Sequence, residues 1–183
     1  MTAASDRYAK LAGQMADRLA AVPADGWDAV TPCEGWKATD LLDHLIDAPA
    51  GFFPVVGLDP LPPGPDRAED PVAAFRHVAD AVQAGLEDPV VAEREFDGPA
   101  GRQTFEQAVS QFFCGDLVVH QWDLARATGQ DETLDADEVR GMYAAMLPMD
   151  QFLRAPGIFG PKVEPPADAD EQTQLLCFLG RQV

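Results

Sequence analysis

Residues 104–129 read TFEQAVSQFFCGDLVVHQWDLARATG, and this stretch decides the fold. Thr104 and Gln107 stand at capping-box spacing, where each side chain satisfies a backbone N–H that the first helical turn leaves free. Gly129 suits the C′ position, where a helix ends in left-handed backbone. Between the two signals lie about 24 residues, roughly 36 Å of helix at 1.5 Å per residue.

Working back from that helix, residues 90–102 read as a short extended or hairpin segment turned by Gly98-Pro99 and Gly101. A helix precedes it, with Asp70 as N-cap and Pro71 as first helical residue. Its buried face is Phe75, Val78, Ala79, Val82 and Leu86, and His77 points the other way, toward the surface. Residues 54–70 carry five prolines and form a loop of the length that often serves as a lid or binding loop. Another helix begins near Ala38 with the stripe Leu41, Leu45, Ala48 and Phe52, and Pro49 should kink or weaken it. The first helix carries Tyr8, Leu11, Met15, Leu19 and Val22 and ends at Pro23. Downstream of Gly129, one helix is expected from about Asp137 to Leu147, with Asp135 and Glu138 at capping-box spacing. Another is expected from about Ala169 to Gly180, burying Leu175, Leu176 and Leu179. The sum is all-α, most simply a four-helix bundle with additional C-terminal helices, in one domain over residues 1–183.

Composition narrows the function. A chain of 183 residues can bury a substantial core. No apolar run of about 18 residues is present to span a bilayer. The start lacks the basic end and apolar stretch of a signal peptide, so a cytoplasmic location is expected. Asp and Glu number 31 against 13 Lys and Arg, a formal charge of −18. That field repels phosphate backbones and anionic lipid, so neither nucleic acid nor a membrane is an expected partner. Cys33, Cys114 and Cys177 form no Cys-x-x-Cys pair and are odd in number, which argues against a disulfide framework.

The residues able to carry chemistry lie on the two best-defined helices. Asp116 and His120 are four apart, offset by about 40° around the axis, and point the same way. Val109, Phe112 or Phe113, and Ala127 share their face, which should be buried. A carboxylate and an imidazole there need compensation, and a metal ion compensates both. His44, on the apolar stripe of the helix that begins near Ala38, can supply a third ligand, leaving the open position of a reactive zinc site. Spacing alone nevertheless favours a simple hydrogen bond between Asp116 and His120 over a metal site. Asp123, three residues after His120, either orients a ligand imidazole from behind or hydrogen-bonds a neighbouring helix. Cys33 reads as a small buried residue in a tight turn, with a reactive thiol as the alternative. Trp36 and Trp122 read as packing anchors.

Two stretches add a resemblance. Thr31-Pro32-Cys33-Glu34-Gly35-Trp36 followed by Asp40-Leu41-Leu42-Asp43-His44-Leu45, and Gly115 through Gly129 with Asp116 and His120 inside it, resemble the actinobacterial family of mycothiol-dependent maleylpyruvate isomerase. The ending, Phe159-Gly160-Pro161 through Leu179-Gly180-Arg181, resembles a branch of the same family. The resemblance implies a DinB-like four-helix fold. It also implies a divalent metal, zinc by preference, held by His44, Asp116 and His120, and mycothiol as cosubstrate. The isomerase carries Glu where this chain has the shorter Asp116, and it has a C-terminal domain of sterol-carrier type for which 183 residues leave no room. The expectation is therefore a thiol-dependent transferase or isomerase acting on a small electrophile, not maleylpyruvate isomerisation itself. The alternatives are a non-catalytic small-molecule-binding protein of this fold and a metal-free scaffold acting as a homodimer.

Overall fold

The computed structural model describes residues 2–98, 101–154 and 159–183. Helix α1 (Ala3–Ala20) starts at Thr2, whose hydroxyl accepts the Ser5 N–H, and it buries Tyr8, Leu11, Met15 and Leu19. A turn then carries the chain to α2 (Ala38–Val55). Gly35 adopts φ +79 in that turn, a left-handed value open to glycine. The Thr31 hydroxyl accepts the Cys33 N–H at 3.2 Å and donates to the Trp36 carbonyl at 3.0 Å, which fixes both residues beside the start of α2.

Helix α2 continues past Pro49, where a kink or weakening is expected, and takes Pro54 into its last turn, so the loop begins later than residue 54. Pro49 is itself buried, and the packing of its ring offsets the backbone hydrogen bond that proline cannot donate. The loop before α3 (Pro71–Glu87) is pinned at two points. Arg67 reaches Asp43 at 2.8 Å and Asp47 at 2.7 Å on α2. A ring nitrogen of His77 lies 2.9 Å from the Pro62 carbonyl, so His77 holds the loop and is not a bare surface residue.

A short helix α4 (Pro89–Ala92) leads into the hairpin β1 (Glu95–Gly98) and β2 (Gly101–Thr104), which pair antiparallel with Phe96 opposite Gln103. Of the expected turn residues, Gly101 has φ +96, and Pro99 lies outside the described residues. The long helix follows in three parts: α5 (Phe105–Ala108), a π-helical turn (Val109–Phe113) and α6 (Cys114–Thr128). Its caps are the expected ones. Thr104 and Gln107 cap reciprocally at 2.9 and 3.2 Å, and Gly129 sits left-handed at φ +70.

Helix α1 packs on α3 and α6, and α2 packs on the same two, so the bundle ring runs α1–α3–α2–α6. Beyond it lie α7 (Ala136–Met146), a 3-10 turn (Leu147–Met149), α8 (Asp150–Leu153) and α9 (Glu171–Phe178). Asp135 caps α7 by accepting the N–H groups of Asp137 and Glu138. The expected return bond of a capping box is replaced, because the Glu138 carboxylate pairs with Arg7 of α1 at 2.7 Å. The ending of α9 carries Arg181 back onto α6. Gly180 has φ +86, and the Arg181 N–H bonds to the Leu176 carbonyl at 2.9 Å, a Schellman closure. A Cβ on Gly180 would also stand 2.9 Å from the Pro161 carbonyl oxygen.

Helix α6 is consequently covered nearly all round, with every residue from Leu117 to Ala125 buried. The fold is all-α apart from the hairpin: a DinB-like four-helix bundle with additional C-terminal helices. None of the described helices is long and apolar enough to cross a membrane.

Candidate metal centre

His44 projects from the second turn of α2, and Asp116 and His120 from successive turns of α6. His44 Nε2 lies 3.3 Å from Asp116 Oδ2. The His44 and His120 rings stand edge to face with centroids 5.2 Å apart. One ligand atom from each of the three residues falls within 4.8 Å of the others. Two atoms about 2.0–2.1 Å from one tetrahedral zinc ion are themselves roughly 3.3 Å apart, so the His44–Asp116 separation suits a shared ion as well as a hydrogen bond. The residues fit a divalent metal.

The site is more open than its sequence position implies. His120 is buried, whereas the His44 and Asp116 side chains are 30% and 39% exposed. For Asp116 the π-helical turn accounts for this. A π turn takes in about one extra residue, so apolar positions before and after it fall out of phase. Val109 is buried and Phe113 half-buried, while Phe112 is exposed and Asp116 meets the mouth of a cavity instead of the core. On α2, likewise, the deepest face is Leu41, Leu42, Leu45 and Ile46. His44, Ala48 and Phe52, expected inside, line the cavity edge.

His120 is anchored from behind. Its Nδ1 lies 3.0 Å from Asp123 Oδ2. Asp123 has no exposed surface and is ionised: burial alone would raise its pKa, but hydrogen bonds from His120 and Arg181 and the guanidinium charge outweigh burial and hold it at about 2. An ionised carboxylate only accepts, so His120 carries its proton on Nδ1, and Nε2 keeps the lone pair a metal needs. Arg181 grips Asp123 through Nε at 3.1 Å and Nη2 at 2.8 Å, and it gives its other amino group to the Leu179 carbonyl at 3.1 Å. The Cys33 thiol donates to Asp123 Oδ2 at 3.3 Å. Burial first, and the Asp123 charge second, push that thiol up to about 12, so Cys33 stays protonated near neutral pH. Cys33, His120 and Asp123 also cluster closely, but their donor atoms are already engaged with one another and with Arg181, which disfavours an ion there.

Trp36, expected to be a packing anchor, lies against both histidines, 5.1 Å from the His44 ring and stacked 5.9 Å from His120. Trp122 is fully buried. Arg181 was not among the candidate residues. A buried Asp123 calls for a cation, yet nothing in the spacing of residues says which of the 13 Lys and Arg answers it.

Residues 8–57, from α1 to just past α2, match the family model of the mycothiol maleylpyruvate isomerase N-terminal domain. That match includes His44 and stops short of Asp116 and His120. Two proteins of Mycobacterium tuberculosis, described as uncharacterized proteins Rv0738 and MT0763, are each 33% identical over 183 residues, covering 90% of this chain and 90% of their own length. No solved structure matches. With the family match over its first two helices, relatives along most of its length and a DinB-like bundle, the chain belongs to the mycothiol maleylpyruvate isomerase N-terminal domain family.

Proposed function

We propose that the chain holds one divalent ion, zinc by preference, through His44, Asp116 and His120, and uses it in a mycothiol-dependent transfer or isomerisation on a small electrophile. The observation that carries this reading is the gathering of three donor groups at the mouth of a cavity, with the His120 tautomer fixed by Asp123. Bound there with a fourth position open, the ion would lower the pKa of a thiol and so supply thiolate at neutral pH. The chain's own part is to hold and orient. Asp123 and Arg181 set the His120 ring, and Trp36 covers the two imidazoles on one side. In a transfer, sulfur bonds to the electrophilic carbon, the leaving group departs with its electron pair, and the thiol proton passes to solvent. In an isomerisation, sulfur adds to the double bond, the resulting single bond rotates, and the thiolate leaves again. Three free cysteines suit a reducing compartment, and we place the protein in the cytoplasm.

Untagged protein should carry close to one divalent ion per chain by elemental analysis. His44→Ala and His120→Ala should lose most of it, and His77→Ala should keep it. Metal-loaded wild type should conjugate mycothiol to a model electrophile faster than an enzyme-free control at neutral pH, with the gain lost in His44→Ala. Metal at full occupancy without turnover would favour a non-catalytic binding protein. No metal in the isolated protein, and none taken up from added zinc or nickel, would sink the whole reading.

A further inference from the structure

The cavity that opens from His44, Asp116 and His120 measures about 2160 Å³, well above the roughly 300–1,000 Å³ of most small-molecule sites. Much of its lining is apolar and comes from elements on either side of the ligands in sequence. Phe52 lies two turns beyond His44 on α2, roughly 12 Å along the axis. It meets Phe96 of the hairpin and Phe113 of the π turn edge to face, with centroids 5.3 and 5.2 Å away. Phe112, 38% exposed, also lines the cavity, and Met142 and Met146 of α7 extend the lining. Methionine there adapts to ligands of varied shape.

The charges of the cavity point the same way. Among the described residues, Arg7, Arg102, Lys162 and Arg181 are the cations that line it, and each already has an acidic partner: Glu138, Glu95, Asp150 and Asp123. Glu34, and Asp116 while no ion is bound, add negative charge to the same lining, within a chain of net charge −18. A carboxylate entering here would lose water, find its cations engaged and meet a field of its own sign.

We infer that this cavity takes a bulky, uncharged apolar molecule and discriminates against a carboxylate-bearing one of similar size. On the proposed function, on which the word electrophile rests, that molecule is the electrophile. The methionine and phenylalanine surface recognises it by area, the lining cations are paired, and the two charges of an ion held by His44, Asp116 and His120 would be balanced by Asp116 and the bound thiolate, which leaves an anion no free anchor.

The test uses the full chain stripped of metal and two dyes that share their rings and differ in charge: N-phenylnaphthylamine, which is neutral, and anilinonaphthalene sulfonate. Fluorescence titration should give the neutral dye an affinity at least about tenfold higher, the cost of desolvating a charge without a partner. Phe112→Asp, at an exposed position, should weaken the neutral dye about tenfold while leaving metal uptake unchanged. Phe112→Lys should narrow the gap between the dyes. Equal or tighter binding of the sulfonate, or no binding of either dye, overturns the inference. A turnover arm compares chlorodinitrobenzene with chlorodinitrobenzoate, where sulfur displaces chloride with its electron pair and the thiol proton goes to solvent. The uncharged substrate should have the higher kcat/KM, and a preference for the benzoate overturns the inference. If neither is turned over, the catalytic reading fails, and the dye preference still decides this one.

Discussion

Asp123 lies under the candidate metal centre with no exposed surface and three donors converging on its Oδ2. Removing one partner of such a pair leaves a buried charge alone, so Arg181→Ala should destabilise the protein by on the order of 3–5 kcal/mol in a denaturant titration. Asp123→Asn removes the charge and turns one of the two accepting oxygens into an N–H donor, so the group that fixes the His120 tautomer is weakened. It should weaken metal binding about 10- to 100-fold in a competition with a chelating dye, with a smaller effect on stability than Arg181→Ala. Equal metal affinity in wild type and Asp123→Asn would show that Asp123 serves packing alone. The thiols make a separate test. Cys33 is pushed up to about 12 and Cys114 to about 11, burial being the main cause in each, and burial raises Cys177 as well. Folded protein should therefore react slowly with an aromatic disulfide near neutral pH, and all three cysteines should react once denaturant is added. Rapid labelling of Cys33 in the folded state would contradict its bond to Asp123. At this scale the sequence is legible where chemistry repeats with the helix. Asp116, His120 and Asp123 fall on neighbouring positions of one face because of the 3.6-residue turn. Arg181 has no such relation to them, being 58 residues from Asp123.

Helix ends were the most readable elements. Asp70 caps α3 through the Ala73 N–H at 2.9 Å, Asp135 caps α7, and the Thr104 and Gln107 pair caps α5. Caps act through neighbours two or three residues away, which a sequence displays directly. Asp135→Ala should cost about 1 kcal/mol at neutral pH. The Asp135 carboxyl is held below its ordinary value, first by the Lys10 ammonium and then by the N–H groups of α7. Its contribution is thus complete above the unfolded carboxyl pKa of about 3.9 and fades as pH falls through the lower folded value. Melting curves of wild type and Asp135→Ala should converge as the medium is made strongly acid, and a constant gap would refute the assignment. The π turn and the end of α2 were not readable. Both depend on what packs against the helix: the aromatic cluster of Phe52, Phe96 and Phe113 beside the π turn, and the buried ring of Pro49. Period counting assumes a constant turn, so it carried Asp116 into the core when the extra residue of the π turn brings it to the cavity mouth.

For the molecule as a whole, the bundle of α1, α2, α3 and α6 was visible from its stripes, and the C-terminal helices were visible as helices. Their position was not. They cover the second side of α6, which is why that helix is buried around its circumference and shows no single stripe. The link between Asp123 and Arg181 then bears on the order of assembly. The first three helices and α6 can associate through apolar faces alone, but the carboxylate of Asp123 must stay hydrated until the turn after α9 delivers its guanidinium across 58 residues. Closure of that part of α6 should therefore come late in refolding, after the bulk of helix has formed. In stopped-flow refolding, the capacity to take up zinc should lag behind the far-ultraviolet signal, and Arg181→Ala should slow that second phase while leaving the first unchanged. Coincident phases in the wild type would show that the bundle gathers its last segment at once.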